Sequence, residues 1–147
     1  MNTFNAINKS ATNLGKFSYK ILNNSDALVF NKTKIFRGTK YDLHNGFIHL
    51  SKDLVQCKGV LYKFFPSQSI VIYKLNNDKL INLQENIKKN GESYLKYEGQ
   101  LTEDHIIDSK SIHHDCNDIM TYWHEINNLE NLFGNSNIFV KEYAIKY

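Results

Sequence analysis

The stretch HNGFIHLS, residues 44–51, sets Phe47, His49 and Ser51 two residues apart in an otherwise apolar run. Side chains of a strand alternate between faces, so these three share one face while Ile48 and Leu50 share the other. One face is then core. The other offers a ring for stacking, an imidazole that titrates near neutral pH, and a hydroxyl. Such a row suits a pocket wall that binds a phosphate or ribose or moves a proton. The competing reading is a half-buried histidine satisfied by a neighbouring carbonyl. Glu85 is the second candidate. It fills one slot of the alternating face Ile81, Leu83, Glu85 and Ile87. A carboxylate among apolar neighbours is costly unless it has a partner or lies at a pocket wall. Lys20, in SYKIL, is the expected partner, and the competing reading is a strand end where Glu85 reaches water.

Other polar clusters carry less. The basic connection with Lys32, Lys34, Arg37, Gly38 and Lys40 could hold phosphates, but no Walker-type spacing is present. HHDC, residues 113–116, reads as a polar turn. Zinc sites draw ligands from separated segments, so no metal is expected there. His124, beside Trp123 and Glu125, reads as surface. No GxSxG, HExxH, GxGxxG or paired-carboxylate motif occurs.

The elements that must position these groups follow from periodicity. Residues 16–23 read as a first strand, and residues 25–31 as a short helix capped by Ser25. GFIHLS is the second strand. In residues 53–65, Leu54, Cys57, Leu61 and Phe64 recur at helical spacing, Ser51 or Asp53 can cap, and Pro66 ends the helix. SIVIYKL, residues 69–75, has the β-branched, near-continuous apolar start of a central strand. KLINLQENI, SYLKYEGQL and HIIDSKSI are further strands. Residues 117–134 form an amphipathic helix with the stripe Ile119, Tyr122 or Trp123, Ile126, Leu129 and Phe133, and Gly134 as its C-terminal cap. NIFVKEYAIKY closes the chain as a strand. Many strands, few helices and no βαβ alternation indicate an α+β domain.

Composition bounds the function. At 147 residues, 41% hydrophobic and 13% aromatic, the chain suits one globular domain, expected over residues 17–147 after a partly disordered leader at 1–16. No apolar run reaches membrane-spanning length and no secretory h-region is seen, so no membrane partner and a cytoplasmic setting are expected. Cys57 and Cys116 stand far apart without a CxxC partner. A net charge of +3 and one arginine argue against tight binding of nucleic acid.

Three spaced pieces carry a resemblance: YKI (residues 19–21), GFIHLS (46–51), and a helix ending in FF followed by IVIYKLNNDKL. Over residues 17–112 their order resembles the family called domain of unknown function 952. A nearby glutamine, here Gln56, and the glutamate of QENI, Glu85, fit its pattern. The family's Phe-Pro-His-Leu-Tyr-Gly segment corresponds to YLKYEG. An ungapped match puts Lys96 at the family histidine and Glu98 at its tyrosine, while a one-residue shift puts Tyr97 there. Lys96 cannot replace an acid/base imidazole near neutral pH without a large pKa shift. Residues 113–147 lie outside the resemblance as an extension.

The resemblance implies an ADP-ribosyltransferase-like fold, a split strand-rich α+β domain whose two small sheets flank a cleft. In enzymes of that fold NAD lies in the cleft, and a glutamate steadies an oxocarbenium-like transition state. The expected ligand is therefore NAD, ADP-ribose or a related phosphorylated nucleotide, with ADP-ribosyl-type transfer as the expected chemistry. His49 and Glu85 would be catalytic. Lys20, Phe47, Ser51, Lys96 and Tyr97 would bind the ligand. The alternative is a non-catalytic domain on the same fold that binds a protein partner.

Overall fold

The computed structural model of the protein describes residues 15–38 and 46–133. The expected leader, Lys40, Gly134 and the closing strand lie outside the described residues, apart from Gly15 and Lys16 at the leader's end.

Strand β1 (Phe17–Asn23) runs into helix α1 (Asn24–Thr33). Asn23, not Ser25, caps α1: its side chain accepts from the Asp26 N–H. The cap sits two residues earlier than expected and satisfies an orphan amide of the first turn, so the helix begins at Asn24. Lys34 ends α1 in the left-handed region at φ 65°. The short strand β2 (Ile35–Phe36) and β3 (Ile48–Leu50) follow. Asp53 caps α2 (Leu54–Phe64), which stops before Pro66. Then come β4 (Ile70–Asn76), β5 (Leu83–Ile87), β6 (Ser93–Tyr97), β7 (Leu101–Thr102) and β8 (Ile106–Ile112). Gly99, at φ 141°, separates β6 from β7, which explains why SYLKYEGQL is two strands. Ile81 is 87% exposed before β5 begins, so the alternating face starts only at Leu83.

The last helical pattern breaks in two, α3 (Ile119–Asn127) and α4 (Leu129–Leu132). The Asn128 side chain donates to the His124 carbonyl at 2.8 Å, competing with the helical ladder where the expected single helix is interrupted. Tyr122, Ile126, Leu129 and Phe133 are buried as the stripe required. Ile119 is 41% exposed, because it lies at the helix start and outside the core.

The strands build antiparallel sheets in the orders β1-β4-β8 and β3-β6-β5, with β2-β7 as a small pair. β4 is central, as its apolar run requires. Among the described residues one isolated bridge joins the larger sheets: Tyr19 and Ser51 exchange both backbone hydrogen bonds, at 2.9 and 2.8 Å. Two cores result. One lies between the sheets and gathers Leu22, Ile48, Leu50, Tyr73, Leu83 and Leu95, with Phe30 of α1. The other lies on the far face of the first sheet, where Cys57 and Leu61 of α2 meet Ile21, Ile72, Tyr122 and Ile126. No described helix is long and apolar enough to cross a membrane.

Candidate functional site

Register decides which candidates can meet. In β3-β6-β5, His49 lies opposite Lys96 and Lys96 opposite Gln84, whereas Leu50 lies opposite Leu95 and Leu95 opposite Glu85. Residues directly paired across an antiparallel ladder share a face. His49, Lys96 and Gln84 therefore stand on the outer face, and Glu85 stands on the inner face with the core leucines. The expectation that Glu85 faces the same cleft as His49 is corrected by this pairing.

The outer face is half-buried and built from rings and cations. The His49 imidazole meets the Tyr94 ring edge-on, with centroids 5.2 Å apart. The Lys96 ammonium sits 4.4 Å above the Phe47 ring. Asn86 donates to the Tyr94 hydroxyl at 2.9 Å, and the Lys88 ammonium lies 5.7 Å over the same ring. Phe47 and Tyr94 join neither core. The helices send their buried side chains into the two cores, α1 into the first and α2 to α4 into the second.

Tyr97 and Ser51 belong elsewhere. Tyr97 is buried on the inner face, edge-on to His105, with Gly99 packed against its ring. Burial pushes its hydroxyl pKa up. Adjacent residues of a strand point oppositely, so Tyr97 and Lys96 cannot line one wall. Ser51 is buried where β3 meets β1, and its hydroxyl bonds to the Cys57 thiol. Burial, then the Asp53 carboxylate, pushes that thiol up to about 12 against the opposing Ser51 bond. The Tyr19 hydroxyl beside it is likewise pushed up to about 12, chiefly by burial.

Lys20 is buried and donates to the His49 carbonyl at 3.1 Å, beneath the sheet. It also lies 5.7 Å over the Phe36 ring. Among the described residues no ion pair joins it to Glu85. The Glu85 carboxylate instead accepts from the Ser93 hydroxyl at 2.7 Å, and Ser93 accepts from the Lys52 ammonium at 2.6 Å. Gln56 completes this corner. Its side-chain oxygen accepts from the Lys52 N–H at 2.9 Å, and its amide donates to the Ser93 carbonyl at 2.7 Å. The glutamine of the sequence pattern is thus a tie between α2 and β6.

Between the sheets the described side chains leave a cavity of about 10 Å³, bordered by Lys20, Phe30, Phe36 and Tyr73. That is room for roughly one water molecule. The expected cleft is filled by the first core at this place. Of the basic connection, Lys34 pairs with Glu103 at 3.0 Å in an exposed ion pair. His113 and His114 both contact the Ser69 hydroxyl, the first through its ring and the second through its backbone N–H, in a polar turn before α3. Among the described residues no group of three or more His, Cys, Asp or Glu could hold a metal ion.

Sequence reasoning passed over Tyr94, Ser93 and Lys52. The signal for Tyr94 was present: it alternates with Lys96 in SYLKY, so a strand there puts both on one face. Nothing local ties Lys52 to Ser93, which are 41 positions apart.

The family model described as "Protein of unknown function (DUF952)" matches residues 21–108. No curated protein matches the chain. Among solved structures, the crystal structure of protein CC0527 from Caulobacter crescentus is similar with a TM-score of 0.61 and 24% identity, covering 68% of this chain and 89% of that one. Its solution NMR structure gives a TM-score of 0.58 at 23% identity, covering 69% and 88%. These likenesses concern the fold.

Proposed function

The chain belongs to the DUF952 family, and on that premise we propose that it binds a phosphorylated nucleotide of the NAD or ADP-ribose type on the outer face of β3-β6-β5. The observation that carries this reading is the juxtaposition of the Lys96 ammonium over Phe47 with the His49 imidazole against Tyr94. Rings supply faces for a base. Lys96 and Lys88 supply charge for phosphates, in charge-assisted contacts stronger than neutral ones. In this reading His49 would contact a ribose hydroxyl or exchange a proton. An ADP-ribosyltransferase-like architecture is part of the same proposal, supported by the two antiparallel sheets joined at one bridge. Glu85 is not used in it as a transition-state carboxylate, because it lies across the sheet. Any transfer chemistry on this face falls to His49 and to groups the ligand brings.

A thermal-shift series with NAD, ADP-ribose, ATP and buffer, repeated on His49→Ala and Lys96→Ala, tests the proposal. Ligand at 100 times its dissociation constant adds about 2.7 kcal/mol, a rise of several degrees for a domain of this size. The expected result is a shift with NAD or ADP-ribose that shrinks in both variants. No shift with any nucleotide rejects the reading. It would move the search to protein partners at exposed apolar positions such as Val55, Phe64 and Met120.

A further inference from the structure

We infer that the face formed by α2 and α3 is where two copies of this chain meet, as a weak symmetric dimer. The inference stands apart from nucleotide binding, since these helices cover the first sheet and the rings and cations above stand on the second. The first ground is exposure. Val55 of α2 is 74% exposed, Met120 of α3 76% and Tyr62 of α2 49%. Tyr62 and Trp123 stack where the two helices adjoin, with ring centroids 5.4 Å apart and planes 12° from parallel. Helical spacing puts Val55 and Tyr62 on one face of α2, and Met120 and Trp123 on one face of α3. Apolar side chains scattered singly are ordinary on a surface, but a group around an aromatic pair marks a contact site. Aromatic residues and methionine are enriched at the centres of such contacts.

The second ground is Gly59. It lies between Val55 and Tyr62 on the same face, in the middle of α2, and a Cβ there would meet nothing within 4 Å. A glycine inside a helix lowers its stability, and no described neighbour requires the missing side chain here. Its use is outward. A helix bare at that point can be approached closely by another backbone.

The third ground is self-complementarity, which selects a second copy over another partner. The Tyr62 hydroxyl donates to the Asn127 side chain at 2.9 Å, and the Lys58 ammonium pairs with Glu130 at 3.6 Å. The α3–α4 segment therefore runs beside α2 in the opposite direction. α2 carries Lys58 and Lys63 and no carboxylate, whereas α3 and α4 carry Glu125 and Glu130 and no lysine or arginine. A two-fold axis in the plane of the face and parallel to the helices lays each α2 on the other copy's α3. Basic helix then meets acidic helix twice, and Tyr62 meets the second copy's Trp123, in the reciprocal manner of an isologous contact. α2 has 11 residues, a length of about 17 Å. A face of that length and two helices wide falls short of the roughly 800 Å² per partner of a standard interface, so the dimer is weak.

Sedimentation equilibrium of the full chain from about 5 to about 500 µM tests this, together with the emission of Trp123, the only tryptophan. The expected result is a mass that rises from one chain towards two, with a blue shift of the emission that follows the mass. Gly59→Gln fills the gap on α2, and Met120→Arg sets a cation against the basic α2 of the second copy. Each should weaken the dimer at least tenfold. Melts at about 5 µM, where the parent is a single chain, check the fold of each variant. They should rise by about 2–4 °C for Gly59→Gln, because glutamine is the better helix former, and stay unchanged for Met120→Arg. A parent that remains a single chain at every concentration overturns the inference, and the patch then belongs to a different protein. A dimer that either folded variant forms as tightly as the parent overturns it too. So does a dimer that leaves the tryptophan emission unchanged, because its contact would lie elsewhere.

Discussion

Replacing Gln56 by alanine removes both ends of the tie between α2 and β6. The Lys52 N–H loses its acceptor, and the Ser93 carbonyl loses its donor. Lys52 is exposed, so water replaces the first partner cheaply. Ser93 is only 5% exposed, so its carbonyl is left short of a partner where water enters poorly. Two net hydrogen bonds at about 1 kcal/mol each, the second biased upward by that desolvation, give a loss of about 2 kcal/mol. At roughly 2–4 °C per kcal/mol for a chain of this length, Tm should drop by about 4–8 °C. Urea denaturation followed by far-UV circular dichroism reads the loss as a lower midpoint at unchanged slope. Gln56→Met, which keeps the volume and removes both polar ends, should lose nearly as much. If both variants stay within about 0.5 kcal/mol of the parent, the tie carries no stability and the glutamine's place in the sequence pattern needs another explanation.

Tyr97→Ala should cost about 3 kcal/mol in the same denaturation assay, as for other buried aromatics, whereas Tyr94→Ala on the outer face should cost under about 1 kcal/mol. Equal costs would contradict the assignment of faces. His105 should make the fold acid-sensitive. Its Nδ1 accepts from the Thr102 N–H at 3.0 Å, and burial holds its pKa below the usual 6.5, with Asp104 opposing and Lys79 adding to the shift. The unfolded chain then binds the proton first, so stability is full above about pH 6.5 and is lost as pH falls through the lower folded value. Melts between pH 7.5 and about pH 5 should decline, and His105→Gln should flatten that decline. A thiol titration of the native protein should find Cys116 reactive and Cys57 silent, because Cys57 is buried and its thiol is pushed up to about 12. Two fast-reacting thiols in the native protein would mean that the core around Cys57 opens freely.

Where local chemistry decides an element, the chain could be read directly. Asp53 before an apolar stripe and Pro66 after it delimit α2, and the β-branched run of β4 marks a central strand. What could not be read is what pairing decides. Leu83, Glu85 and Ile87 do share a face, but whether that face is the one His49 occupies depends on how both strands align with β6. A slip of one residue in either pairing would exchange the two faces. The same holds for Lys20, whose partner became a backbone carbonyl on the neighbouring strand and not the carboxylate that charge alone suggested. Asn128 shows the third kind of difference: a side chain that competes for a helical carbonyl splits a pattern whose hydrophobic stripe was read correctly from Tyr122 to Phe133, though not at Ile119.

The bridge between Tyr19 and Ser51 has a consequence for how the domain opens. Among the described residues, backbone hydrogen bonding between the two larger sheets passes through a single residue pair. On one side of that seam lies β4, bonded along both edges; on the other lies three-residue β3. Amides in the middle of β4 are released only when the first sheet comes apart as a whole, while the Tyr19 and Ser51 amides are released by a local parting of the seam. In native-state hydrogen exchange these two should therefore form a pair that exchanges together, faster than Ile72 or Tyr73 of β4. Their common opening free energy would measure how far the outer face of the second sheet can swing independently of the helix-covered half.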